Sequence, residues 1–238
     1  MKKILVMPVL VAVLFAAACG EDGLVEAVPT ASVRFVNAAT EMTGSGGFTA
    51  NGQFSAGSAL PSGQAAQTCS KVNEGSASFG FGAANTGGTG LSGNSLTTLD
   101  NQGITAGGNY IVAATGSAAS PTLFMFDNNF AGSLATSEAA VRFVNLAPAT
   151  GTALNNFTVL KGVLGQGHTL VQGNIEVGAP TPFSAVTSGS NAYTILKGHE
   201  TVISGSAATL ILQAGTVNTV AIVPNASGGF QLVNIPGC

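Results

Sequence analysis

The sequence predicts an all-β protein of two tandem β-sandwich domains behind an N-terminal signal helix. Three observations predict it. Val33-Arg34-Phe35-Val36-Asn37 returns letter for letter as Val141-Arg142-Phe143-Val144-Asn145, 108 residues later (141 − 33). Ala106-Gly107 returns as Ala214-Gly215 at the same offset, and two signals that keep one spacing mark a duplicated unit. Short β-branched and aromatic runs follow one another with Gly, Asn, Ser or Pro between most of them, and nothing beyond the first 18 residues has helical periodicity.

Residues 1–18 read as a signal segment. Lys2 and Lys3 precede an apolar run from Ile4 to Phe15, and Ala16-Ala17-Ala18 leads into Cys19. The run is short for a membrane span. Small residues directly before a cysteine resemble the lipobox of bacterial lipoproteins, although Ala16 stands where Leu is usual. The resemblance implies a diacylated Cys19 thiol, cleavage before Cys19 and acylation of the new amino group. The alternative is ordinary secretion with a chance cysteine. Anchoring by more than one chain is stable, so the expected partner is the membrane, through acyl chains on Cys19. The expected address is the cell envelope. Gly20 after Cys19 favours the outer membrane or the cell surface under the enteric sorting rule. Residues 19–30, with three acids and a proline, read as a lipidated tether.

The first repeat is expected over residues 31–136. Its strands are Ser32–Asn37, Phe48–Ala50 ending in an Asn51-Gly52 turn, Ser76–Gly82 with Phe79 and Phe81 on one face, Tyr110–Ala114 and Thr122–Phe126. Asp127-Asn128-Asn129 ends it and Ala131–Ser137 links onward. The second repeat, residues 137–238, has runs at Ala140–Asn145, Phe157–Leu160, Thr169–Val177, Ala192–Leu196, Thr201–Ser204, Thr209–Gln213, Thr219–Val223 and Phe230–Ile235.

Composition narrows the function. Charged residues make up only 7% of the chain and the formal net charge is −3, which excludes the basic footprint of a nucleic-acid binder. Loss of Lys2 and Lys3 takes the balance to −5 (5 − 10). At 45% hydrophobic residues the chain is too apolar for disorder.

Each repeat thus opens with a Val-Arg-hydrophobic-Val-Asn strand, followed by a polar turn and a short strand closed by Gly. Each carries Ala-Gly before a later strand, and the second adds Pro182-Phe183-Ser184-Ala185-Val186-Thr187-Ser188-Gly189. This order resembles a secreted bacterial family, domain of unknown function 4397, over about residues 31–235. The resemblance implies immunoglobulin-like or transthyretin-like sandwiches, tandem copies in lipoproteins and surface proteins, and no activity. The chain differs from the family at Asn37 and Asn145, where a His is usual, and in lacking an acid at Phe48-Thr49 and Phe157-Thr158.

Five residues are candidates for special roles. Cys19 is the lipidation site. Arg34 and Arg142 are the only arginines and hold equivalent positions, each on the strand face opposite its Val and Phe neighbours. They form either a repeated anion site or structural forks that satisfy carbonyls or an acid such as Asp127. Cys69 and Cys238 remain once Cys19 is lipidated. They form either a disulfide, which an exported compartment permits, or free or intermolecular thiols.

The remaining signals are weak. His168 and His199 lack the convergent partners of a metal site. Two histidines and few acids speak against a Ser-His-Asp triad, and no Gly-x-Ser-x-Gly elbow is present. Gly88-Thr89-Gly90-Leu91-Ser92-Gly93 fits a dinucleotide pattern but precedes no expected helix, and Asp127-Asn128-Asn129 reads as a turn before it reads as a calcium site. No cofactor or metal is expected. The chain reads as a non-enzymatic structural or interaction module. The alternatives are a lipoprotein that binds an anion or glycan, and an adhesin or fibre subunit that self-assembles. An envelope protein or a glycan is the expected partner, although the absence of Trp weakens a sugar-stacking site.

Overall fold

The computed structural model describes residues 28–148, 156–162, 167–197, 201–225, 227 and 229–238. The signal segment, Cys19, His199 and the tether up to residue 27 lie outside the described residues. All regular structure among the described residues is β, in four sheets.

The first sheet is built around β1 (Thr30–Asn37). β8 (Asn109–Ser117) runs parallel to it on one side, and β9 (Ser120–Asp127) follows β8. On the other side β4 (Gln64–Ala65) and β5 (Ser70–Asn73) pair antiparallel with the two ends of β1. The second sheet takes the order β3-β2-β6-β7, from β2 (Gly46–Ala50), β3 (Gln53–Phe54), β6 (Gly75–Ala83) and β7 (Thr97–Ile104). Asn51 and Gly52 join β2 to β3 with φ of 50° and 76°, the backbone that a tight two-residue hairpin requires.

The C-terminal half repeats this plan. β13 (Ser184–Thr187), β10 (Glu138–Asn145), β16 (Val217–Pro224) and β17 (Phe230–Pro236) form the third sheet in that order. β12 (Thr169–Ile175), β11 (Phe157–Lys161), β14 (Gly189–Lys197) and β15 (Thr201–Leu212) form the fourth. The register repeats as well: Arg34 faces Ile111 in the parallel β1–β8 pair, and Arg142 faces Thr219 in β10–β16. The repeated Ala-Gly is the turn before β8 and β16. Gly107 and Gly215 sit at φ of 72° and 75°, where glycine has no steric cost. Their N–H groups donate to the carbonyls of Thr30 and Glu138 at 2.9 and 2.7 Å, which ties each turn to the opening strand.

Three apolar layers lie between the four sheets. Val33, Phe35 and Val112 of the first sheet pack on Phe48, Phe79 and Phe81 of the second, with Phe35 and Phe48 stacked at 4.8 Å. Val141, Phe143 and Ile222 of the third pack on Phe157, Tyr193 and Ile195 of the fourth. The third layer joins the halves: Val36, Ala38, Ile111 and Phe126 meet Val144, Leu146, Ala221 and Ile235. The sheets therefore stack second, first, third, fourth. This explains why β1, β10 and β16 are buried along almost their whole length, for both faces of each strand are covered. Each fully buried Phe or Val side chain contributes roughly 1.5–3 kcal/mol.

The structure adds the short strands β3, β4 and β5, too brief to show an alternating pattern, and corrects the sequence reading at three others. Thr97–Ile104 forms an edge strand although it reads as polar, because only alternate side chains meet the core and Asn101, at φ 56°, bulges the ladder. Ser184–Thr187 is a strand paired with β10. Thr201–Ser204 and Thr209–Gln213 are parts of one twelve-residue strand, β15.

Candidate functional site: the crossed arginines and the junction between the halves

The alternation of β1 sends Val33 and Phe35 into the layer between the first and second sheets and Arg34 and Val36 into the junction. β10 does the same with Arg142 and Val144. Both arginines are buried, at 7% and 6% exposure. Each reaches the chain that follows the last strand of the other half. Arg34 Nη2 donates to the carbonyl of Gly237 at 3.4 Å, just after β17. Arg142 Nη2 donates to Asn128 Oδ1 at 3.3 Å, just after β9. The repeated arginine is thus a pair of crossed struts between the halves.

Their surroundings differ. Arg34 Nη1 also donates to the carbonyls of Ala66 and Gln67, at 2.7 and 2.9 Å, while its Nε is buried without a partner. Arg142 Nε donates to Thr219 Oγ1 at 2.9 Å. The Thr219 hydroxyl in turn donates to Asn128 Oδ1 at 2.6 Å. Arg142 also lies 4.5 Å over the Phe183 ring, a cation–π contact. Burial pushes both guanidinium pKa values down. Arg142 falls to about 10, with the negative charge of Asp127 acting in the opposite direction. Asp127 therefore faces the field of Arg142 rather than pairing with Arg34. Its carboxylate accepts the Asn129 backbone N–H at 2.8 Å and side-chain amide at 2.6 Å, which closes the turn.

A disulfide joins Cys69 to Cys238 across 169 residues. It sits beside the Arg34 strut, two residues from Gln67 and one from Gly237. In the chain-entropy model a loop of this length stabilises the fold by about 5 kcal/mol.

The repeated asparagines are also structural. Asn37 Nδ2 donates to the Leu60 carbonyl and its Oδ1 accepts the Ala39 N–H, at 2.8 and 3.0 Å. Asn145 makes the matching contacts with Ile175 and Ala147, at 3.1 and 2.9 Å. Each clamps the end of an opening strand. His168 is exposed. The Gly88–Gly93 loop leads through residues 94–96 into β7, and Asn85 fastens its start, accepting the Thr89 N–H at 3.0 Å. Among the described residues no group of three or more His, Cys, Asp or Glu converges to hold a metal.

Two clefts open at the junction. One, of ≈ 440 Å³, lies between Glu41, Thr115, Thr122 and Phe124 of the N-terminal half and Val177 of the other. The second, of ≈ 390 Å³, lies beside the disulfide, between Asn109, Asn128, Asn129 and Phe130 on one side and Thr216 and Pro236 on the other. Sequence reasoning missed Asn128 and Thr219 as partners of Arg142. The only signal was the pairing of Arg142 with the hydroxyl-bearing residue that the 108-residue offset puts where Ile111 stands. No family model matches the chain, and neither does any curated protein.

Proposed function

We propose that the chain is a non-catalytic cell-envelope protein, lipid-anchored through Cys19, that serves as a rigid structural or interaction module. In this reading it is two tandem copies, residues 31–136 and 137–238, of one immunoglobulin-like or transthyretin-like sandwich similar to domain of unknown function 4397. The crossed arginines carry the reading. The two residues best suited by sequence to recognise a ligand are spent on fastening one half to the other, and the disulfide fastens them again. Such a body suits display or spacing, where relative domain motion is a defect.

The test is the fate of the chain in its own cells. Intact-mass measurement of the mature protein should find a diacylglyceryl group and an amide-linked acyl chain on Cys19, and Cys19→Ala should leave the protein out of the detergent phase. An unmodified Cys19 would end the anchoring claim.

A second reading, assembly through sheet edges, is favoured by β15. Its twelve residues carry no charge and no proline, and Ile211 is 76% exposed. Charged gatekeepers normally protect such an edge. Concentration-dependent mass in light scattering would bring this reading forward, and a clean monomer would remove it.

A further inference from the structure

We infer that the cleft beside the disulfide is a binding site for a neutral saccharide. The inference goes beyond the display reading and does not depend on lipidation. It rests on Asn128. This side chain is only 3% exposed. Its Oδ1 is fixed by two donors, Arg142 Nη2 and the Thr219 hydroxyl. Its Nδ2 has no hydrogen-bond partner among the described residues, and the residue lines the cleft. An amide whose acceptor end is locked inside the protein holds its donor end in one orientation without further ordering cost, which is how a binding group is pre-organised.

The rest of the lining fits hydroxyls. Asn109 and Asn129 bring two more amides, held together by the Asn129 Oδ1 bonds to the Asn109 backbone and side chain at 3.2 and 3.3 Å. Thr216 brings a hydroxyl, and Phe130 and Pro236 bring apolar surface. Amides offer paired donors and acceptors for vicinal hydroxyls, and a phenyl face covers the C–H side of a sugar ring. None of the lining side chains is ionisable. Behind the lining the hydrogen bonds place side-chain charges of opposite sign, Arg142 at Asn128 and Asp127 at Asn129, so the side chains single out neither an anion nor a cation. An extended peptide is disfavoured too. β8 and β16, which reach the cleft with Asn109 and Val217, are each paired on both sides, and the edge strand β17 reaches it only with its last residue, Pro236, which has no N–H to give to an added strand.

The experiment uses the full mature chain in a polyoxyethylene detergent, since a sugar-headed one would compete. Side-chain amide resonances are followed while chitotriose and maltotriose are added to millimolar concentration, with glucosamine and trigalacturonate as charged comparators. The expected result is a saturable shift of the Asn109, Asn128 and Asn129 amides with at least one neutral trisaccharide. Asn128→Asp keeps both acceptor contacts with Arg142 and Thr219 but removes the donor, and should weaken that binding about tenfold or more without lowering the melting temperature. Thr216→Val should weaken it less. No shift with either neutral sugar would overturn the proposal. So would tighter binding of a charged comparator, or unchanged affinity in both variants.

Discussion

The two arginine struts occupy equivalent positions and solve one problem in different ways. Arg142 is held by side chains: Thr219 takes its Nε, Asn128 its Nη2, and Phe183 lies under its face. Arg34 is held by main chain, with its Nη atoms on three carbonyls. Its Nε is left buried and unpaired, because Ile111 stands where the other half has Thr219. The disulfide is next to the less complete strut. A guanidinium in a dry junction needs its donors matched or its surroundings fixed, and each half supplies one of these.

The largest break in this comparison is the disulfide. Cys69→Ser with Cys238→Ser should cost about 5 kcal/mol in the chain-entropy model, read as a lower denaturant midpoint. With only two arginines in the chain, their Nε–H resonances are separable by NMR. The Arg34 signal should exchange faster with solvent in the double variant, and the Arg142 signal should stay protected. Equal loss at both would mean that the struts are not independent.

Next comes Thr219→Val, which strips Arg142 Nε of its acceptor and Asn128 of a donor. A loss of about 1–3 kcal/mol is expected, with the Arg142 Nε–H deprotected. An unchanged melting temperature would show that the hydroxyl is not part of the strut. The reverse change, Ile111→Thr, gives Arg34 the acceptor it lacks. It also gives up apolar surface in the junction, so its raw effect on stability is small. The informative quantity is the coupling with Arg34→Met in a double-mutant cycle, expected to be favourable by about 1 kcal/mol. Zero coupling would mean that Arg34 Nε does not reach the new hydroxyl.

The smallest effect is expected at Tyr193, which in β14 takes the place that Phe79 holds in β6. Its ring packs edge-on to Phe143 at 5.2 Å. Its hydroxyl is buried without a partner, and burial raises its pKa. Tyr193→Phe should therefore leave stability unchanged or raise it by less than about 1 kcal/mol. A clear loss would reveal a partner for that hydroxyl.

Much of the fold was legible because strand alternation is a local signal. Val33, Phe35, Phe79 and Phe81 point to one core from their spacing alone. Thr97–Ile104 was not legible, since an edge strand with a bulge need not be apolar. The junction was not legible either. β1 alternates Val-Arg-Phe-Val, which puts Arg34 on the face opposite the core residues and leaves an anion site and a carbonyl-satisfying fork both open, without telling that a second sheet covers that face. The strut role of Arg34 and Arg142 needed Gly237 and Asn128, 203 and 14 residues away in the chain, and no local pattern carries such distances.

The Cys69–Cys238 bond also decides how the molecule answers a pull. A load entering at the N-terminal end and leaving at Cys238 crosses from one sulfur to the other, so the 169-residue loop between them never comes under tension. Only the chain before Cys69 can be drawn out. To release it, β1 must slide along its parallel neighbour β8, breaking their row of hydrogen bonds together rather than one at a time. The protein should behave as a short, stiff spring with almost no slack.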